Sequence, residues 1–202
     1  MAAGSRAFFV AWEGTPSWET GRPQPVVTRL LADGAIRGRV LDVGCGTGLH
    51  AVQLARAGHE VVGVDVVPRA IELATARADE AAVSARFVVA DALDLARHGD
   101  ALGAPFDTLL DVGLFHVLQP TDRARYASAL AAVARPGAAA FVIAWSDRNP
   151  FGIGPGQITR RELRGAFRAA AGWRIDGIDE AQLETLLPMS TVHAWLARLT
   201  RR

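Results

Sequence analysis

The clearest chemistry in this chain lies in seven consecutive residues, Asp42-Val43-Gly44-Cys45-Gly46-Thr47-Gly48. They follow an apolar run and open a helical pattern. Glycines at 44, 46 and 48 let the backbone turn sharply and approach a ligand where a Cβ would collide. The spacing is G-x-G-x-G with an acid two residues ahead, whereas a dinucleotide fingerprint reads G-x-G-x-x-G. A pyrophosphate docks on free helix N-terminal amides and is repelled by a carboxylate beside them. Asp42 suits a ligand with an ammonium group instead. A nucleotide-linked oxidoreductase on a related fold remains an alternative.

Acids recur at the ends of later apolar runs. Asp65 closes the second, and its carboxylate can accept two ribose hydroxyl bonds or cap the helix that begins near Pro68. Asp91-Ala92 follows the third run. Asp111 and His116 follow the fourth. An imidazole with a pKa near neutrality suits proton removal, so His116 is the expected general base; the alternative is a helix-start histidine bonded to backbone. His50, His59, His98 and His193 read as structural or exposed, and nothing has metal-ligand spacing.

These residues need elements to hold them. Val40–Val43, Val61–Val64, Arg86–Ala90, Phe106–Leu110 and Ala138–Trp145 read as buried strands, with closing strands at Trp173–Ile178 and Val192–Leu199. Helical spacing covers 26–33, 49–57 and a stretch from Pro68, a good first-turn residue. Thr121 is expected to cap a helix that carries Tyr126, Leu130 and Val133 and ends at Pro136-Gly137. Thr159 to Glu162 has the form of a capping box. Strand-helix alternation with near-continuous Val/Leu runs predicts a doubly wound α/β fold whose mostly parallel sheet is covered on both faces. In such sheets ligands bind beyond the carboxyl ends of the strands.

The 202 residues suit one α/β domain, with an N-terminal segment and helix over 1–34 and the main body over 35–202. A net charge of +1 provides no field for gathering nucleic acid or anionic lipid. Cys45 is the only cysteine, which excludes an intramolecular disulfide and a cysteine-based zinc cluster. No apolar run approaches the roughly 20 residues a bilayer span needs, and a cytoplasmic enzyme is expected.

Taken together, the loop at 42–48, Asp65 and Asp91 resemble the motif series of class I S-adenosylmethionine-dependent methyltransferases. The segment Trp12-Glu13-Gly14-Thr15-Pro16-Ser17-Trp18-Glu19-Thr20-Gly21-Arg22-Pro23-Gln24-Pro25 is similar to the N-terminal segment of the thiopurine, thiol and halide methyltransferase group. It is closest to bacterial relatives that methylate small heterocyclic or phenolic compounds. The stretches Asp111–Leu118 and Trp145–Pro150 also match those relatives. The resemblance implies a Rossmann-like, mostly parallel seven-stranded sheet with a C-terminal antiparallel strand, and S-adenosyl-L-methionine as cofactor. It implies that Gly44, Cys45, Gly46 and Gly48 wrap the methionine part and that Asp42 holds its amino acid end. Asp65, with Val66 beside it, would take the ribose. Asp91 and the Ala92 N–H would meet the adenine, and Asp111 would position the loop or the sulfonium. Trp18 and Trp12 would pack near the sulfonium, where an aromatic face attracts a cation by about 0.5–2 kcal/mol, or would merely anchor the extension. The segment itself would be a mobile lid.

The resemblance also frames the acceptor. A thiolate, halide or phenolate needs positioning and desolvation, whereas a neutral hydroxyl needs a base as well. The expected acceptor is a small aromatic or heterocyclic hydroxyl. Methylation at S, N or halide, and a non-catalytic S-adenosylmethionine binder, are the alternatives. No Asn/Asp-Pro-Pro-Tyr run and no basic stripe point to nucleic acid. Pro136-Gly137-Ala138 departs from the usual Pro-Gly-Gly, and the stretch 151–156 departs where the acceptor pocket would be lined.

Overall fold

The computed structural model describes residues 16–150 and 156–202. Trp12 and the departing stretch over 151–155 therefore lie outside the described residues. Pro25 sits in the first turn of helix α1 (Pro25–Ala32), where its missing N–H costs nothing. There follow β1 (Val40–Val43), α2 (Leu49–Arg56), β2 (Val61–Asp65), α3 (Pro68–Glu80) and β3 (Ala85–Val89). After a 3-10 turn at Ala92–His98 come α4 (Gly99–Leu102), β4 (Phe106–Val112), α5 (Arg123–Val133), β5 (Ala134–Trp145) and α6 (Arg160–Ala166). The chain closes with β6 (Trp173–Glu184) and β7 (Thr191–Arg201).

The seven strands form one sheet in the order β3-β2-β1-β4-β5-β7-β6. β1 pairs in parallel with β2 and β4, and β4 with β5, while β7 runs antiparallel to both β5 and β6. The expected sheet, with its antiparallel C-terminal strand, is what forms. Alternation divides the core. Leu109, Ala140, Val142 and Ala144 pack with Tyr126, Leu130, Phe167 and Trp173 on one face. Leu110, Phe141, Ile143 and Trp145 pack with Val27, Leu30, Ala51 and Leu54 on the other. Helix α1 is thus part of the same core.

Three local expectations differ. Helix α5 starts at Arg123 behind Asp122, with no side-chain cap, so Thr121 is not its cap. The helix ends at Val133, and Pro136 and Gly137 fall in the irregular start of β5, where its register with β4 shifts. β6 runs on to Glu184, well past its expected end at Ile178, and β7 outruns its expected bounds only slightly. Their outer positions are paired by Arg198 with Asp179 (2.8 Å) and by Arg174 with Thr200 (3.2 Å), which apolar patterning does not reveal. The capping box does form: Thr159 Oγ1 accepts the Glu162 N–H at 3.1 Å, and Glu162 accepts the Thr159 N–H at 2.8 Å.

Candidate functional site

Strand order reverses between β1 and β4, so the loops after β1, β2 and β4 meet at one edge. The turn after β1 is closed by Gly44 and Cys45, whose N–H groups both donate to the Val64 carbonyl at 2.8 and 2.9 Å. Gly44, Gly46 and Gly48 all have left-handed φ, at 72°, 52° and 75°. At Gly48, the residue before α2, a Cβ would stand 3.0 Å from Ala74 Cβ and from the Phe87 ring. Any side chain there would push α3 and β3 away. Cys45 is buried beneath the loop, and burial raises its thiol pKa, with the Asp42 and Asp65 charges adding. It is placed to pack, not to react.

Two carboxylates lie under the loop. Asp42 is 1% exposed, and its Oδ2 has no hydrogen-bond partner among the described residues. Burial, then the neighbouring Asp111 and Asp65, push its pKa up to about 7. Asp111 is equally buried and better supplied. Its Oδ1 accepts the Leu114 N–H at 2.8 Å, and its Oδ2 accepts the Phe115 N–H at 3.1 Å and the Tyr126 hydroxyl at 2.7 Å. Burial still outweighs those donors and pushes it to about 7. A buried carboxylate oxygen with no donor is costly. A ligand ammonium at Asp42 would remove that cost, so the residues present fit a cationic amino acid moiety.

Asp65 is not the cap of α3, whose preceding residue is Val67 and has no side-chain cap. Its Oδ2 accepts the Gly46 N–H at 3.0 Å and its Oδ1 accepts the Val67 N–H at 2.9 Å, so it ties the glycine loop to the end of β2. Val66 is 41% exposed and Val89 45% exposed at the ends of the paired strands β2 and β3. Such apolar side chains suit contact with a flat ring. Asp91 Oδ1 accepts the Leu93 N–H at 2.8 Å and so caps the 3-10 turn, with Ala92 half-buried beside it. The fold thus brings the glycine loop, Asp42, Asp65, Val66, Asp91 and Asp111 to the carboxyl ends of β1 to β4.

His116 is placed differently from a free base. It is 6% exposed, and its Nδ1 accepts the Trp145 N–H at 3.2 Å. Burial, and then the Arg123 charge, lower its pKa to about 3. With Nδ1 accepting, the neutral ring carries its proton on Nε2 and is a donor. The expected role of general base would need that bond to Trp145 to break. The lone pair on Nδ1 is taken, and burial disfavours the charged ring that proton abstraction would form.

Glu19 and Tyr126, which the sequence did not single out as site residues, complete the edge. Glu19 accepts the Thr47 hydroxyl at 2.7 Å and an Arg77 N–H at 3.3 Å. Tyr126 holds Asp111; as the only tyrosine of the chain, on an apolar helix face, its hydroxyl had to find a partner. Trp18 is 46% exposed between Ser17, whose carbonyl accepts the Leu186 N–H at 2.7 Å, and Glu19. The Trp145–Pro150 stretch is a staple: Asn149 donates to the His193 carbonyl at 2.7 Å and accepts the His193 N–H at 2.8 Å, binding the loop after β5 to β7. Among the described residues no group of three or more acidic, His or Cys side chains could hold a metal ion. No described helix is long and apolar enough to cross a membrane.

Comparison with known proteins agrees with this geometry. A methyltransferase domain family matches residues 40–137, from β1 into the start of β5. The 2-heptyl-1-hydroxyquinolin-4(1H)-one methyltransferase of Mycobacteroides abscessus is 34% identical over 172 residues, covering 83% of this chain and 73% of that one. A structure from work on the conversion of a disulfide bond into a thioacetal group during echinomycin biosynthesis superposes with a TM-score of 0.85. It is 35% identical and covers 97% of this chain and 91% of that one. At the level of fold alone, the 1,6-didemethyltoxoflavin N1-methyltransferase of Burkholderia thailandensis, with bound substrate and S-adenosylhomocysteine, has a TM-score of 0.68. It is 20% identical and covers 100% of this chain and 91% of that one.

Proposed function

We propose that this chain, which belongs to the S-adenosylmethionine-dependent methyltransferases, methylates the oxygen of a small aromatic or heterocyclic hydroxyl that reaches the site already ionised. The enzyme class and the cofactor follow from the family. The acceptor is our reading, and the state of His116 carries it.

S-adenosylmethionine supplies a methyl carbon on a sulfonium, open to in-line displacement. The protein's task is to position and desolvate, and positioning alone contributes roughly 7–11 kcal/mol of the barrier. In our assignment Asp42 holds the ammonium, the 44–48 backbone follows the methionine part, Asp65 takes the ribose hydroxyls, and Asp91 and Ala92 take the adenine. Val66, exposed at the end of β2, would lie against the cofactor's rings. Asp111 holds the 113–117 turn at the end of β4 through the Leu114 and Phe115 N–H groups.

On the acceptor side, His116 has its Nδ1 on backbone and a pKa of about 3. It removes no proton near neutrality. Arg123, whose charge reaches His116, sits over the Phe115 ring at 5.5 Å and is already ion-paired with Glu162 at 2.6 Å. A hydroxyl acidic enough to ionise in water needs no base. The hydroxyl named in the Mycobacteroides relative's substrate is borne on a ring nitrogen, and an oxygen on a ring nitrogen is more acidic than an alcohol.

The test is His116→Asn, which keeps an acceptor for the Trp145 N–H, assayed on phenols and N-hydroxy heterocycles of graded acidity. We expect kcat to stay within about tenfold of wild type, with a pH profile that tracks the acceptor's own ionisation. A general base would lose about 10²–10⁴-fold, and that result would overturn the reading.

A further inference from the structure

We propose that Glu19 is a positioning residue that ties the N-terminal segment to the cofactor loop, so that cofactor binding and the docking of residues 16–24 reinforce each other. The inference rests on the assignment of the 44–48 loop to the cofactor.

Thr47 stands between two glycines with left-handed φ and is 4% exposed. Its hydroxyl donates to Glu19 Oε2 at 2.7 Å. The other oxygen of Glu19 accepts from Arg77 of α3 at 3.3 Å, and the Glu19 side chain is only 14% exposed. One carboxylate therefore spans the loop before α2 and the helix after β2, the two pieces on either side of Asp65. Asp65 fixes the same loop from below through the Gly46 N–H. The backbone of Glu19 is itself set by a turn, with its N–H donating to the Pro16 carbonyl at 2.9 Å.

The segment is held independently by the hairpin between β6 and β7. Arg22 makes two bonds to the Glu184 carboxylate, at 2.8 and 3.0 Å. Gln24 exchanges two bonds with the Glu184 backbone, at 3.1 and 2.7 Å. Ser17 accepts from Leu186. With the segment anchored there, Glu19 transmits its position to the loop, and the loop's position to Trp18 beside it. A ligand that fixes the loop places Thr47 to receive Glu19, and an engaged Glu19 prepays ordering of the loop.

The experiment is a double-mutant cycle on S-adenosylhomocysteine affinity, with hydrogen exchange across 16–24. Glu19→Ala and Thr47→Val are each expected to weaken binding by about tenfold. The double variant should be no weaker than either single one, because both remove the same bond. Glu19→Gln can keep its oxygen on the Arg77 N–H and donate its NH2 to the Thr47 hydroxyl oxygen, which unlike a backbone N–H can accept, and should stay within about threefold of wild type. Wild type should gain protection over 16–24 on binding, and Glu19→Ala should not. Unchanged affinity in Glu19→Ala, or losses that add in the double variant, would overturn the proposal while leaving the cofactor site standing. A wild type that fails to bind S-adenosylhomocysteine would overturn both.

Discussion

Tyr126 donates its hydroxyl to Asp111 at 2.7 Å inside the core, joining the middle of α5 to the carboxyl end of β4. Both residues are fully buried or nearly so. The phenol's own pKa is raised by burial and by the carboxylate it serves, so it stays a donor. Through Asp111 the same bond reaches the turn at 114–115, which that carboxylate holds by two N–H groups. Tyr126→Phe keeps the ring and removes one donor from a buried carboxylate. We expect a loss of about 1–3 kcal/mol of stability in urea titration. Cofactor affinity should fall with it, since Asp111 is then harder to ionise. Unchanged stability and affinity would show that the two backbone donors suffice.

The paired acids set a pH dependence with a definite sign. Asp42 and Asp111 rise from an ordinary 3.8 to about 7 in the folded protein. Between these values the folded state binds more protons than the unfolded state. Their contribution to stability is therefore complete below about pH 4 and is lost as pH rises towards 7, by at most about 1.4 kcal/mol per pH unit for each group. A cation bound at Asp42 reverses the preference. S-adenosylmethionine binding should release protons and strengthen by about tenfold per pH unit per proton released below pH 7, levelling above about 8. Calorimetric titration at pH 6, 7 and 8, in buffers of different ionisation enthalpy, reads both effects. Equal affinity at all three values would mean that the carboxylates are already ionised.

Asp65 distinguishes a carboxylate from its amide. Both oxygens already accept backbone N–H groups, from Gly46 and Val67. Asp65→Asn would turn an NH2 toward one of those donors, so the amide should be nearly as damaging as Asp65→Ala. Each is expected to lower S-adenosylhomocysteine affinity at least about tenfold, since charge-assisted bonds to the loop and to the ribose are lost together. Titration calorimetry decides it. An Asn variant that binds like wild type would leave Asp65 as scaffold only.

What the sequence revealed and what it hid divide along the range of the interactions. The Val/Leu runs, the glycine loop and the Thr159–Glu162 box are local signals, and the sheet, the turn and the cap follow them. The Glu19–Thr47 bond joins residues 28 apart and Tyr126–Asp111 joins residues 15 apart, so neither has a local pattern. His116 shows the limit most directly. Its type and place suit a base, but the availability of its lone pair depends on the Trp145 N–H, 29 residues away. β6 outruns its apolar stretch because positions such as Asp179 are held by an ion pair with Arg198, which has no apolar period.

Gly156 offers a way to disturb the acceptor side alone. A Cβ on it would stand 2.8 Å from the carbonyl oxygen of His116, too close for either backbone to remain in place. Gln157 donates from its side chain to the carbonyls of Asn149 and Pro150, at 3.1 and 2.7 Å, and closes the base of the loop after β5. Asn149 in turn is fastened to His193 of β7. We expect the displacement in Gly156→Ala to reach the 115–117 turn and the His116 ring, which bonds Trp145. Among the described residues the glycine loop, Asp42 and Asp65 share no hydrogen bond with that turn, and the loop meets it by packing, where Gly44 lies close to Leu114. We expect kcat/KM for the methyl acceptor to drop by about tenfold or more, as a misplacement near 1 Å can cost up to about 10²-fold. Affinity for S-adenosylhomocysteine should stay within about twofold. Steady-state kinetics with the acceptor varied, beside calorimetry on the same preparation, separates the two. Equal losses in both would place Gly156 and His116 with the cofactor rather than the acceptor.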